Sequence, residues 1–404
     1  MNRSFNFSVP FILILIIAAA EMATAIYTPC LPLVAKHFNV SESLVQWTIS
    51  INLLGLALSG PIYGPFSDCF GRRAILRVGM GLFLVGSFFS FLAYSIESLL
   101  LARFIQGLGA GVAVVVAFAT VRDLFTEQKS AQVLSYMGMA IALSPGVAPI
   151  LGSSLAYHFN WKMCFGVVSG VALMIFILLF TWMPETLAKK ERSEYSFTSI
   201  VRGYGRAFQN GRFLTLSLIP SLMIGGLWAW MATLPVLFIS HLDVPLHDYG
   251  YYGFSGVAIY VMGTFINSRW VRRVPLRTLL AGGLWMSFFS SVSLIVAGYL
   301  DFNSPVLLQI LNFPFAFGLA LILPNGTALA FSEVKEGRGT SAALLGSAEM
   351  AFGALGIFLM GILFQGTIIA IAGVMLGCGV VSLILFYSLP KREEAEVVIS
   401  EVSH

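Results

Sequence analysis

Charged side chains are scarce in this sequence: Asp, Glu, Lys and Arg together make up 10% of 404 residues. A soluble globular domain carries about 25%, so a water-soluble fold of this length is excluded. Cysteine is sparse as well. Cys30, Cys69, Cys164 and Cys378 are scattered over different apolar segments and one polar loop, which implies no disulfide framework. The histidines, His37, His158, His241, His247 and His404, fall in predicted loops or the tail without the spacing of a metal site. No nucleophile–base arrangement or phosphate-cradling loop stands out, so an enzymatic reading finds no support and no cofactor or metal is called for.

What is present is apolar. Hydrophobic residues make up 58% of the chain, with 34 Phe, and runs of about 20, each enough to cross roughly 30 Å of hydrocarbon as helix, recur with short polar breaks. Twelve are counted: 10–34, 45–66, 74–95, 97–120, 131–156, 162–183, 212–240, 249–266, 278–299, 304–331, 340–364 and 367–389. The expected fold is an all-α membrane protein in contact with the lipid bilayer. Lys and Arg collect in cytoplasmic loops, and with the N-terminus inside, 20 of the 23 basic residues fall inside. Both termini are therefore expected in the cytoplasm, and the net charge of +4 reads as topology, with no nucleic-acid partner implied. Arg3 followed by an apolar run and "AAA" at 18–20 mimics a signal peptide. The apolar stretch continues well past Ala20, which favours a first span.

The longest interruption starts at Pro184 and divides six spans from six. The expected organisation is an N-terminal six-helix bundle (1–184), a cytoplasmic linker (185–211), a C-terminal six-helix bundle (212–390) and a tail (391–404). In the linker Phe197, Ile200, Val201, Tyr204 and Phe208 fall at helical spacing beside Arg202 and Arg206. That pattern suits a helix on the inner membrane surface; a solvated linker is the other reading. A faint repeat links "TPCLPLV" (28–34) with "ATLPVLF" (232–238), and "GPFSDCFGRR" (64–73) with "GTFINSRWVRR" (263–273). Two halves in series, each ending on the cytoplasmic side, make parallel repeats, and in such transporters the substrate site lies at mid-membrane between them.

Three charges lie within spans. Glu21 stands about 15 Å along a helix from a start near residue 11. An unpaired charge there costs at least about 2.5–3.5 kcal/mol, so Glu21 should face a cavity, pair, or hold a proton. Burial favours the neutral acid and a nearby cation the carboxylate, so a site alternating between the two is a proton switch; packing of a protonated acid alone is the bland alternative. Arg103, with Gln106 on its face, is read as the counter-charge to Glu21, the alternative being a structural partner for backbone carbonyls. Glu349, about 13 Å into its helix, is divided between mechanism and buried structure. Thr24, Tyr27, Asn52, Gln106, Trp228, Met231 and Asn312 are the candidate substrate-binding residues.

Near the second span, Asp68 can pair with Arg72 or Arg73 across the turn at Gly71, forming a latch that holds one arrangement of the halves. A plain positive anchor is the alternative, and the one preferred for Arg77. Asn267 replaces the acid in the second copy, so its latch is expected to be weak or absent. Pro145, Gly146 and Pro149 suit a hinge or a seal.

"GPFSDCFGRR" resembles the loop signature of the major facilitator superfamily, and "LLLARFIQGLGAG" (99–111) its Arg-Gln-Gly helix motif. "ALSPGVAPILG" (142–152) is similar to the proline-glycine motif of the drug/proton antiporters, with Ser144 where glycine is common. "WKMCF" (161–165) and "PET" (184–186) look like the bicyclomycin-resistance-like branch. In the first span the family pattern "TDMYLPALP" reads "TAIYTPCLP", with Ala25 in the acid's place and Glu21 one turn earlier. The resemblance implies two pseudo-symmetric bundles and a proton-coupled antiporter of small drug-like molecules, working as a monomer in a bacterial inner membrane by alternating access, the proton being its coupling ion. A dedicated transporter of one metabolite, such as a siderophore or a carboxylate, is the competing expectation, and a receptor or scaffold without transport a third.

Overall fold

Hydrocarbon offers nothing to satisfy a backbone, so each apolar run closes its N–H and C=O groups on itself as helix. A computed structural model of the chain, describing residues 5–188, 190, 192, 197–334 and 337–389, shows helices throughout and no strand among the described residues. The first span is α1 (Phe5–Ala25) and α2 (Leu31–Phe38), joined by one tight turn at Thr28–Cys30. Pro29 sets that break, because it has no N–H for the Ala25 carbonyl. The Thr28 hydroxyl donates to that carbonyl instead, at 2.9 Å.

Five more helices complete the first half: α3 (Glu42–Phe70), α4 (Arg72–Phe91), α5 (Ile96–Leu124), α6 (Glu127–His158) and α7 (Lys162–Thr181). After α8 (Phe197–Gln209), the second half runs α9 (Gly211–Pro235), α10 (Leu246–Trp270), α11 (Leu276–Tyr299), α12 (Pro305–Ser332), α13 (Arg338–Leu363) and α14 (Ile368–Ser388). Eleven spans are long and apolar enough to cross a membrane among the described residues. The remaining one, α10, has the length, at 25 residues, but carries Asp248, Asn267 and Arg269. The α3–α4 and α10–α11 turns mark a basic face of the molecule; the opposite face is called distal below.

The predicted surface helix is α8, with Val201 and Phe208 left exposed and Tyr204 turned inward. The side chains of Phe197 and Ile200, and the tail 391–404, lie outside the described residues. The Tyr204 phenol donates to the Pro61 carbonyl of α3 at 3.0 Å. Pro65, four residues on, has no N–H for that carbonyl, so Tyr204 supplies the missing donor. Burial pushes the Tyr204 phenol pKa up from its usual value.

The repeat is visible in side-chain detail. Arg77 of α4 donates to the Leu179 and Phe180 carbonyls at the end of α7, its guanidinium 4.0 Å from the Phe180 ring centroid. Arg277 of α11 donates to the Phe386 and Leu389 carbonyls at the end of α14, 4.9 Å from the Phe386 ring. Each arginine caps the orphan carbonyls of its half's last helix, a more specific task for Arg77 than a positive anchor.

The halves meet along two seams, α3 against α13 and α6 against α10. Ser50 donates to the Ala354 carbonyl at 2.7 Å, the Trp47 ring stacks on Phe358 at 5.3 Å, and Leu53 and Trp228 converge on Gly353. On the other seam Gly146 faces Val257, and Gly253 faces Pro149. Gly146 and Pro149 are thus buried in a seal, and α6 runs unbroken through Pro145 and Pro149.

Within the first half, α3 and α5 approach so closely that a Cβ on Gly107 would run into the Asn52 carbonyl. Gly170 of α7 has nothing within 4 Å of such an atom. Gly107→Val is therefore expected to destabilise by about 1–3 kcal/mol or more, lowering the thermal midpoint in detergent, whereas Gly170→Val leaves it unchanged. Equal midpoints would contradict the packing described.

Candidate functional site

The most buried charge of the first half is Arg103, about two turns into α5 and fully enclosed. A guanidinium without water needs acceptors on every side. It donates to the Ala23 carbonyl of α1 at 3.2 Å, to the Thr48 carbonyl of α3 at 3.4 Å, and to Gln106 Oε1 on its own helix. The Tyr27 and Phe165 rings lie 5.5 and 5.6 Å from its centre, within cation–π range. Gln106 in turn donates to Ser87 of α4 at 2.8 Å. Asn52 donates to the Arg103 carbonyl at 2.9 Å and accepts from Thr24 at 3.1 Å, and Tyr27 and Thr48 are hydrogen-bonded at 3.3 Å.

This network corrects two expectations. Arg103 binds carbonyls and Gln106 rather than pairing with Glu21: Nε and Nη1 reach acceptors on three helices, while Nη2 has no hydrogen-bond partner among the described residues. Thr24, Tyr27, Asn52 and Gln106, expected to line a substrate cavity, are buried inside the first half as parts of the same network.

Glu21 is left facing elsewhere. Residues two apart on a helix point about 200° apart, so holding Ala23 inward turns Glu21 the other way. It lies on a half-open stripe with Phe11, Ile14 and Ala18, at helical spacing. Since α1 packs on α5, α6 and α7, that stripe is the side turned away from those three helices. Among the described residues no hydrogen bond or ion pair reaches the Glu21 carboxylate. It stands sixteen residues from Phe5 and seventeen from Phe38, the midpoint of the span.

Glu349 is its counterpart in depth, eleven residues from Arg338 and fourteen from Leu363. It sits one turn toward the basic face from Gly353, where Trp228 and Leu53 close the seam. It is half-buried and likewise without a hydrogen bond or ion pair among the described residues, with Tyr260 of α10 in electrostatic range. Trp228 packs against the apolar core of the first half, and Met231 against that of the second. Asn312 is buried in α12, its Oδ1 without a hydrogen-bond partner among the described residues. The same holds for Oε1 of Gln309, one turn away, a residue that sequence reading passed over.

Comparison with known proteins agrees with this architecture. The sequence profile of the Major Facilitator Superfamily matches residues 13–282. The chain belongs to that superfamily. Among its relatives, a bicyclomycin resistance protein homolog of Haemophilus influenzae is 30% identical over 91% of this chain and 92% of its own length. The multidrug transporter MdfA of Edwardsiella ictaluri is 27% identical over 86% of this chain and 85% of its own. Of solved structures, a D-xylose–proton symporter superposes with a TM-score of 0.76 at 16% identity, over 95% of this chain and 98% of its own. A bacterial homologue of the lysosomal transporter Spinster, inward-facing, gives 0.73 at 16% identity, over 96% and 97%. At such identities the structures speak to the fold alone. A membership of this kind makes the chain a multi-pass membrane transporter rather than an enzyme.

The superfamily's loop signature forms a charge cluster on the basic face. Arg72 pairs with Asp68 at 2.5 Å and with Asp123 of α5 at 2.8 Å, and donates to Ser67 at 2.6 Å. Its backbone N–H donates to Glu185 after α7 at 3.0 Å, and Glu185 pairs with Arg192 at 3.4 Å. Gly71 turns the chain here at φ 97°, and a Cβ on it would collide with the Glu185 carboxylate. Arg73 reaches away to the Phe180 carbonyl at 3.0 Å. The expected latch between halves is thus, in this arrangement, a clamp within the first half, since Arg72 finds its carboxylates on neighbouring helices. Asp123 and Glu185 were not singled out individually from sequence, where Asp123 follows Arg122 and Glu185 sits in "PET" at the head of a charged linker. In the second half the equivalent place holds an amide pair, Asn325 donating to Asn267 at 2.9 Å.

Replacing Arg103 by Lys keeps the charge but not the planar fork that serves three helices. Arg103→Lys is expected to lower stability by about 2 kcal/mol or more, read as a fall in the thermal midpoint of the purified protein. An unchanged midpoint would show that the fork carries no such burden.

Proposed function

We propose that this transporter is a proton-coupled antiporter that moves small drug-like molecules from the basic, cytoplasmic face to the distal face of a bacterial inner membrane. The observation that carries the reading is Glu21, at mid-span, half-buried on the side of α1 away from α5, α6 and α7 and unpartnered among the described residues, while Arg103 bonds to carbonyls and Gln106 instead. A bare carboxylate at that depth costs about 2.5–3.5 kcal/mol, so Glu21 holds either a proton or a cargo that compensates its charge. The two compete, and competition between proton and cargo for one site, alternately exposed on the two faces, is antiport.

In the cytoplasm-facing arrangement cargo enters as Glu21 gives up its proton; in the distal-facing one a proton arrives and cargo leaves. Each proton moving inward releases about 2.3 kcal/mol per 100 mV. Glu349, in the facing half, is a second proton or cargo site. The printed names of the relatives, bicyclomycin resistance and multidrug transport, support the drug-like class of cargo. In this reading the monomer is the working unit and both termini are cytoplasmic.

The test is transport in proteoliposomes under an imposed pH gradient, screened with cationic, neutral and anionic compounds. One pH unit is about 1.4 kcal/mol per proton, enough for about tenfold accumulation. Pumping of at least one cationic or neutral compound is expected, with loss in Glu21→Gln and weakening in Glu349→Gln. Undiminished pH-driven pumping by Glu21→Gln would contradict the assignment.

A further inference from the structure

The distal rim carries an imidazole and a carboxylate drawn from the two halves. His241 ends the wide turns that follow α9, a segment closed by the Leu242 N–H on the Leu237 carbonyl. Its Nε2 lies 3.5 Å from Oε2 of Glu42, in the first turn of α3. The imidazole is held from the side of the second half. Its ring sits edge-on to Phe364 at 5.8 Å, and it rests against Gly366, whose φ of 80° and bare Cα leave room for it. Glu42 is held from the first half, on a helix whose N-terminus is capped by Ser41.

We infer that Glu42 and His241 form a proton-operated latch on the distal side, a proton-binding site separate from the acids of the membrane core. The two side chains stand on different halves, so their pairing exists only while the distal side is closed. An imidazole offers a carboxylate a full opposite charge only when protonated. Closure and protonation of His241 therefore favour each other. The sign follows: a proton on the imidazole stabilises the closed distal side, and its loss removes that stabilisation.

Other charges around His241 are few. Lys36 of α2 lines the same depression of about 580 Å³ as Glu42 and opposes protonation, while Asp243, two residues along, favours it. The turn at 364–367 brings no titratable group, and His247, at the start of α10, has its own neighbour in Asp248 at 3.4 Å. Both latch side chains are partly exposed, at 39% and 31%, so the effect is modest and sensitive to salt. A modest effect suffices for a switch between two arrangements of similar free energy. The inference rests on the halves rocking against each other and not on the role proposed for Glu21.

Spin labels at Tyr94→Cys and Asn303→Cys, exposed positions in distal turns of the two halves, report the opening of that side. Cys69 and Cys378 are replaced by Ser, the buried Cys30 and Cys164 are kept, and Glu21→Gln with Glu349→Gln removes titration of the core. Lowering pH from about 7.5 to about 5.5, across the histidine range, is expected to raise the ratio of closed to open distances by up to about fivefold. His241→Gln or Glu42→Gln in the same background is expected to abolish that rise. A ratio that ignores pH in the background, or a rise that survives either substitution, would overturn the latch. Because the core acids are already neutral, neither result depends on whether Glu21 couples transport to protons.

Discussion

A guanidinium sealed from water has to be met by acceptors in fixed directions, and the first half is arranged around how Arg103 is met. Its donors reach α1 at Ala23, α3 at Thr48 and α5 at Gln106, so the three helices cannot rotate independently. Breaking such a set leaves a buried charge uncompensated, at a cost of about 3–5 kcal/mol. The rotation of α1 is the consequence that matters. With the Ala23 carbonyl accepting from Arg103 and Tyr27 locked beside it, Glu21 is left on the side of α1 away from α5, α6 and α7. The positive charge thus acts on the acid by orienting its helix, while leaving its carboxylate unpaired.

The two halves share a scaffold but not its charges. Arg77 and Arg277 cap the last helix of each half in the same way. Where the first half clamps its basic face with Arg72 between Asp68 and Asp123, the second uses Asn267 and Asn325. An amide pair is neutral and insensitive to salt or protonation, whereas the clamp is partly exposed, with Asp68 49% open. The exposed carboxylate of Asp68 is thereby available to a partner from the other half in a different arrangement.

Much of this was legible in the sequence because the bilayer imposes simple rules. Length and apolarity of runs marked the spans, and even α10, the least apolar, was found as 249–266 from its position between basic and polar turns. Glu21 and Glu349 could be singled out since a charge inside an apolar run has few explanations. What one dimension hides is direction. Thr24, three residues from Glu21, was expected to bind substrate, yet its hydrogen bond to Asn52 draws it into the bundle. Asp123 and Glu185 became partners of Arg72 only through folding, 51 and 113 residues from it along the chain, a separation no local pattern reports.

The account stands on the Glu21 carboxyl changing its proton as cargo comes and goes. Infrared difference spectroscopy of the purified transporter, recorded before and after adding a transported compound at neutral pH, reads this directly. The prediction is loss of a protonated-carboxyl stretch on binding, with the corresponding carboxylate bands gained, and absence of that change in Glu21→Gln. A spectrum in which binding leaves the carboxyl region untouched, or alters it equally in Glu21→Gln, would contradict it.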